Sequence, residues 1–169
     1  VSLGVSPAEL AGPADTVSFC LSKGLSCPVG SLVVGSRDLI DRARKNRKIL
    51  GGGMRQAGII AAAGIVALET MVDRLLEDHD NARHLAKGLA SMPGLSLEPE
   101  SIQSNIVIFE VTDRPAPEFI NALKEEGVLI SYTGGRWVRM VTHYGITAED
   151  VAEVLTVVEA VARTESRAG

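Results

Sequence analysis

Three sets of residues in this chain are spaced for chemistry. The first is Lys23, within "TVSFCLSKGLSCPVGS" (Thr16 to Ser31). Thr16 to Leu21 is rich in β-branched and aromatic residues, which predicts a strand. Ser22-Lys23-Gly24 breaks the pattern, Pro28 and Gly30 keep the segment irregular, and Ser31 to Val34 predicts a second strand. A lysine at a strand end among tight turns has two readings. One is a solvated loop residue, the commoner case for any single lysine. The other is a desolvated amine that forms a Schiff base with a carbonyl.

The second set lies around "ILGGGMRQ". Arg37 to Lys48 holds six basic residues and two aspartates, the usual pattern of a solvated helix face. It runs into three glycines and then Arg55, at the expected start of a long helix. Glycines let backbone approach an anion closely, and a helix N-terminus offers free N–H groups and a positive dipole end. Lys48 and Arg55 flank that turn, so it reads as a phosphate contact or as a plain hinge. The third is Arg139 in "RWVRMVTH": alternation puts Trp137, Arg139 and Val141 on one strand face. A guanidinium between an indole and a valine needs an anion, and its planar fork suits a carboxylate. That carboxylate is either an internal Asp or Glu, or a ligand.

The elements that must hold these residues form an α/β pattern. At 169 residues the chain can bury a real core in one domain or slightly more. Apolar residues make up 46% and charged residues 22%, which excludes disorder. A net charge of −4 argues against nucleic acid or an anionic membrane as partner of the whole surface. "AGIIAAAGIVAL" (Ala57 to Leu68) is too short to span a bilayer. It predicts a helix from about Met54 to Asp78, apolar all round in its first half and so buried in a core or between chains. His79 to Ser91 continues helically to "MPG". Ile106 to Val111 reads as a strand buried on both faces, and Glu118 to Glu125 as a helix. Val128 to Tyr132 and Arg136 to Thr142 read as strands around a "TGG" turn. Thr147, with Asp150 three residues on, caps a last helix. His79 and His84 are expected at the surface. Cys20 and Cys27 lack metal-knuckle spacing and read as free thiols of a reducing compartment, the cytoplasm. No signal-peptide pattern or initiator methionine opens the chain, and it enters in mid-pattern, as part of a longer protein would.

An amine, a phosphate-binding turn and a carboxylate-binding arginine, in that order, describe a pyridoxal 5'-phosphate (PLP) enzyme acting on an amino acid. "DTVSFCLSKGLSCPVGS", "GGGMRQAG" and "VRMVTH" together resemble the low-specificity L-threonine aldolases, of the β-eliminating lyase group with the type I PLP fold. The resemblance covers essentially the whole chain, in order. Ser26-Cys27 departs from the small residues usual there. Such enzymes are about twice this length, and the match is to their C-terminal half. The resemblance therefore implies that residues 1–53 end a PLP-binding large domain, 54–91 form a connecting helical segment and 92–169 form a small α/β domain. The partner of the pyridine nitrogen, the ring-stacking residue and the main phosphate loop would lie upstream, on a longer polypeptide or a companion chain.

The resemblance also implies roles. Lys23 carries the cofactor, with Ser22 beside it; Lys48 and Arg55 reach toward the phosphate, partly across a subunit interface; Arg139 holds the substrate α-carboxylate. No metal is implied. The implied reaction is cleavage of L-threonine or L-allo-threonine to glycine and acetaldehyde in a homo-oligomer, a dimer or tetramer, its base an upstream histidine or an ordered water rather than His143. Two other readings stay open: another type I PLP enzyme (aminotransferase or hydroxymethyltransferase), or a non-catalytic half serving dimerisation.

Overall fold

The computed structural model describes residues 1–165, as two compact units that divide between Leu75 and Leu76. The first holds α1 (Pro7–Ala11), β1 (Thr16–Cys20), β2 (Ser31–Gly35), α2 (Arg37–Ile49) and α3 (Gly58–Thr70). β1 and β2 form the two expected strands, paired antiparallel from Thr16↔Gly35 to Cys20↔Ser31. Ser36 caps α2 by accepting from Leu39 N. The helix ends in a Schellman motif: Gly52 N donates to Arg47 O (2.8 Å) and Gly51 N to Lys48 O (3.2 Å). Gly51 has φ +79°, where a Cβ is disfavoured. The first of the three glycines is thus a helix terminator.

Two expectations about the long helix are corrected. It starts at Gly58, because the Gly51 cap and Gln56 at φ +52° keep Arg55 to Ala57 in a turn. It also stops at Thr70, and α4 (Leu75–Ala90) begins after a turn closed by Leu75 N→Val72 O (3.2 Å). Nor is α3 surrounded within its unit. Gly64 and Ala67 are buried, whereas Ile59, Ile65, Val66 and Leu68 are exposed, Ile59 to 79%.

The second unit is built on the sheet order β3-β4-β6-β5, antiparallel throughout. Its strands are β3 (Leu95–Ser96), β4 (Ile106–Val111), β5 (Ser131–Gly134) and β6 (Trp137–Val141), with α5 (Ala116–Glu125) and α6 (Ala148–Glu165) following β4 and β6. Val107, Phe109 and Val111 alternate into a core shared with Leu85 and Leu89 of α4, Phe119 and Leu123 of α5, and Val158 of α6. Each such fully buried side chain contributes about 1.5–3 kcal/mol. Phe109 meets Phe119 edge to face at 6.2 Å. Arg114, buried, pairs with Asp113 (3.0 Å) and donates to Ala162 O (3.3 Å), tying the β4–α5 connection to α6. The Thr147–Asp150 cap forms as expected, Asp150 N donating to Thr147 Oγ1 (3.2 Å) and Thr147 N to Asp150 Oδ2 (2.8 Å).

β4 is not buried on both faces. Its burial alternates, and Ile106 and Ile108 remain 40% and 44% exposed. The helices of this unit cover one face of the sheet. The open face carries Ile106 and Ile108 of β4 beside Trp137, Arg139 and Val141 of β6.

Candidate active site

The β1–β2 connection presents Lys23. Leu21 N donates to Gly30 O (2.9 Å) and Cys27 N to Leu21 O (3.1 Å), so the two ends of the loop are laced together. Leu21 and Cys27 are buried in a small cluster with Ala67 of α3, and Cys27 Sγ donates to Ala63 O (3.4 Å). A Cβ on Gly64 would stand 3.0 Å from Leu21 Cδ1, so this glycine lets the loop close on the helix. With both flanks anchored, Lys23 to Ser26 forms a turn closed by Ser26 N→Lys23 O (2.8 Å), Ser26 lying at φ +58°. Lys23 is exposed at its tip and Ser22 half-buried beside it. Both cysteines are free, Cys20 exposed and Cys27 buried.

Lys48 and Arg55 lie on the same unit as Lys23, both exposed and without an acidic partner among the described residues. The glycine run shapes the surroundings of Lys48. A Cβ on Gly53 would sit 3.1 Å from Lys48 Cδ and 3.5 Å from its Nζ, so the amine folds back along bare backbone. Arg55 precedes the first residue of α3 instead of opening it.

Arg139 belongs to the second unit, in mid-strand, opposite Ile108 of β4 on one side and Ser131 of β5 on the other. Among the described residues it has no carboxylate partner, which removes the internal ion pair as its explanation there. Arg136, its neighbour on the hairpin, does meet Glu110, at 3.8 Å. The end of β6 is fixed. Thr142 N donates to Asn105 O (3.0 Å), Asn105 Nδ2 returns a bond to Thr142 O (2.8 Å), and Thr142 Oγ1 donates to Asp78 O (2.6 Å) of α4. Arg139 and His143 line a cleft of about 370 Å³ that also takes in Ser131, Met140, Ile146 and Asp150.

His79 is a correction: it is buried on α4, with Nδ1 lacking a hydrogen-bond partner among the described residues, whereas His84 is exposed as expected. Burial, and then the Arg83 charge, lowers the His79 pKa below its ordinary 6.5. The unfolded chain then binds more protons than the native one below about pH 6.5, so stability falls as pH drops through the interval between the two pKa values. Asp113, lowered chiefly by its hydrogen bond to Arg114, removes stability in a second window, starting below 3.8. Urea unfolding followed from about pH 8 to about pH 3 should show both losses, and His79→Gln should flatten the upper one alone.

The fold and the comparisons agree. Serine palmitoyltransferase from Sphingomonas wittichii superposes with a TM-score of 0.78 at 22% identity, over 95% of this chain and 42% of that one. An SPT structure with a PLP internal aldimine matches at 0.74, also at 22% identity, over 93% and 42%. The chain therefore has the C-terminal portion of the type I PLP-dependent transferase fold. The family model for beta-eliminating lyases matches residues 1–112, and the chain belongs to that family. It is 39% identical to low-specificity L-threonine aldolase 1 of Arabidopsis thaliana over 92% of its own length and 44% of the relative's. It is 43% identical to the low specificity L-threonine aldolase of Escherichia coli K12 over 91% and 45%. The chain thus spans less than half the length of these curated relatives.

Proposed function

We propose that this chain is part of a PLP-dependent aldolase that cleaves L-threonine and L-allo-threonine to glycine and acetaldehyde. The observation that carries the reading is Arg139: an arginine at the centre of an apolar sheet face, opposite Ile108, with no acid of its own among the described residues. An α-carboxylate satisfies it bidentately. The relatives named as low-specificity L-threonine aldolases support this reaction within the family.

The residues present fit PLP. The donor set is a primary amine on an anchored loop (Lys23), a lysine lying along a glycine run (Lys48), a second cation (Arg55) and a guanidinium for the substrate. When bound, PLP supplies an electron sink for the pair released from the Cα–Cβ bond. Lys23 provides the amine that holds the cofactor, with Ser22 beside it. Lys48 and Arg55 balance the phosphate charge. Arg139 fixes the carboxylate and so sets which bond at Cα stands ready to break. The proton leaving the β-hydroxyl goes to an ordered water or an upstream histidine: His79 is buried, His84 sits on the exposed side of α4, and His143, though it lines the cleft with Arg139, has its Nδ1 engaged with Tyr144 O (2.9 Å). The exposed apolar face of α3 supports a homo-oligomer, or an upstream half, seated on it. The two free thiols support a reducing, cytoplasmic setting.

Two experiments test the reading. Glycine and acetaldehyde should form from L-threonine without added keto acid or folate; a requirement for either would assign another type I reaction. Lys48→Ala and Arg55→Ala should each weaken cofactor retention roughly tenfold, about 1.4 kcal/mol, with KM for threonine little changed, because a phosphate contact serves ground and transition states alike. Wild-type PLP affinity in both variants would leave the basic turn only as a hinge.

A further inference from the structure

We propose that Ser131 is a second contact for the substrate carboxylate, its hydroxyl donating beside the Arg139 fork; this rests on the amino-acid-cleaving reading above. The antiparallel register sets Ser131 of β5 directly opposite Arg139 of β6. Opposed residues on one face hold their Cβ atoms about 4.5–5.5 Å apart, within reach of one small ligand group. On its other flank Arg139 faces Ile108, which has no polar atom to offer. Ser131 is exposed, and its hydroxyl has no hydrogen-bond partner among the described residues. Both residues line the same cleft.

A carboxylate presents about four lone-pair sites, and a guanidinium fork takes two of them in its own plane. The open face around Arg139 carries Ile106, Ile108, Trp137 and Val141, with Glu110 opposite Trp137 at its end, and of the two residues facing Arg139 across the ladders only Ser131 has a donor for the remaining sites. The serine across the ladder is that donor. Its position is held from both ends. Val128 N donates to Leu123 O (2.9 Å) where the chain leaves α5, and the bulge between Tyr132 and Gly134 confines the register change to the turn side of the Ser131–Arg139 pair.

The test compares glycine with glycinamide, which lacks the carboxylate charge, as ligands of the cofactor-loaded protein, read from the cofactor's visible absorbance. Ser131→Ala should weaken glycine binding roughly 5- to 10-fold and leave glycinamide binding and the melting temperature unchanged. Ser131→Thr, which keeps the hydroxyl, should recover most of the loss. If Ser131→Ala weakens both ligands equally, or neither, the contact does not exist. Arg139→Lys, run alongside, should still weaken glycine selectively in that case, so the aldolase reading would stand alone. A wild-type protein with no spectral response to glycine would overturn both.

Discussion

Lys23→Ala, made in the cofactor-loaded protein, should remove the visible absorbance of the protonated Schiff base and nearly all turnover, on the order of 10⁴-fold. The size follows from the amine's dual task. In the proposed role Lys23 would both hold the cofactor and make way for the substrate amine, two tasks lost together in the alanine variant. Leu21 and Cys27 anchor the loop from both sides, so the tip cannot re-register to bring another lysine to the same place. Folding should be spared, because Lys23 is exposed and its own backbone bond to Ser26 survives the substitution. Borohydride reduction followed by peptide mapping gives the direct check: the label should sit on Lys23. A label on Lys45, Lys48 or any other lysine would end the assignment. A merely solvated Lys23 would leave absorbance and turnover intact.

The local features of this chain were legible because their signals are local. A β-branched run bounded by Ser-Lys-Gly gave the first hairpin, and Thr147 with Asp150 gave a cap that forms reciprocally. The period-two pattern placed Trp137, Arg139 and Val141 together, as the structure has them. What failed depended on what lies across from a residue. Ile106-Val-Ile-Phe is apolar at every position, and such a run has the same appearance whether one face or both are covered. The turn between α3 and α4 contains no glycine or proline, so nothing punctuates it. His79 has charged and polar neighbours in sequence, the pattern of a surface residue, yet it is buried where the first turns of α4 meet the end of β6 through Asp78 and Thr142. Ser131 carried no signal as an isolated serine. Hairpin arithmetic from the "TGG" turn could have paired it with Arg139, but the bulge at Tyr132–Gly134 shifts that count.

Arg139→Lys should cut kcat/KM for L-threonine by roughly 100-fold or more, about 3 kcal/mol, while cofactor loading survives. The substitution keeps the charge, so a purely electrostatic role would barely register it. What it removes is the planar fork, which in the proposed role would hold the substrate carboxylate in one orientation and so set the Cα–Cβ bond for cleavage. An ammonium in its place binds as a point charge, and the carboxylate can then turn. The loss should therefore appear in kcat as well as in KM. Stability should change little, since Arg139 lies on the open face and has no acid partner among the described residues whose charge would be stranded. A structural role gives the opposite pattern: a lowered melting temperature with KM for threonine unchanged. Melting curves and steady-state kinetics on this one variant separate a substrate-binding arginine from a scaffold residue. The same measurements decide between an enzyme and a dimerisation module, because a module has no use for a forked cation, free of any acid among the described residues, in the middle of an apolar sheet.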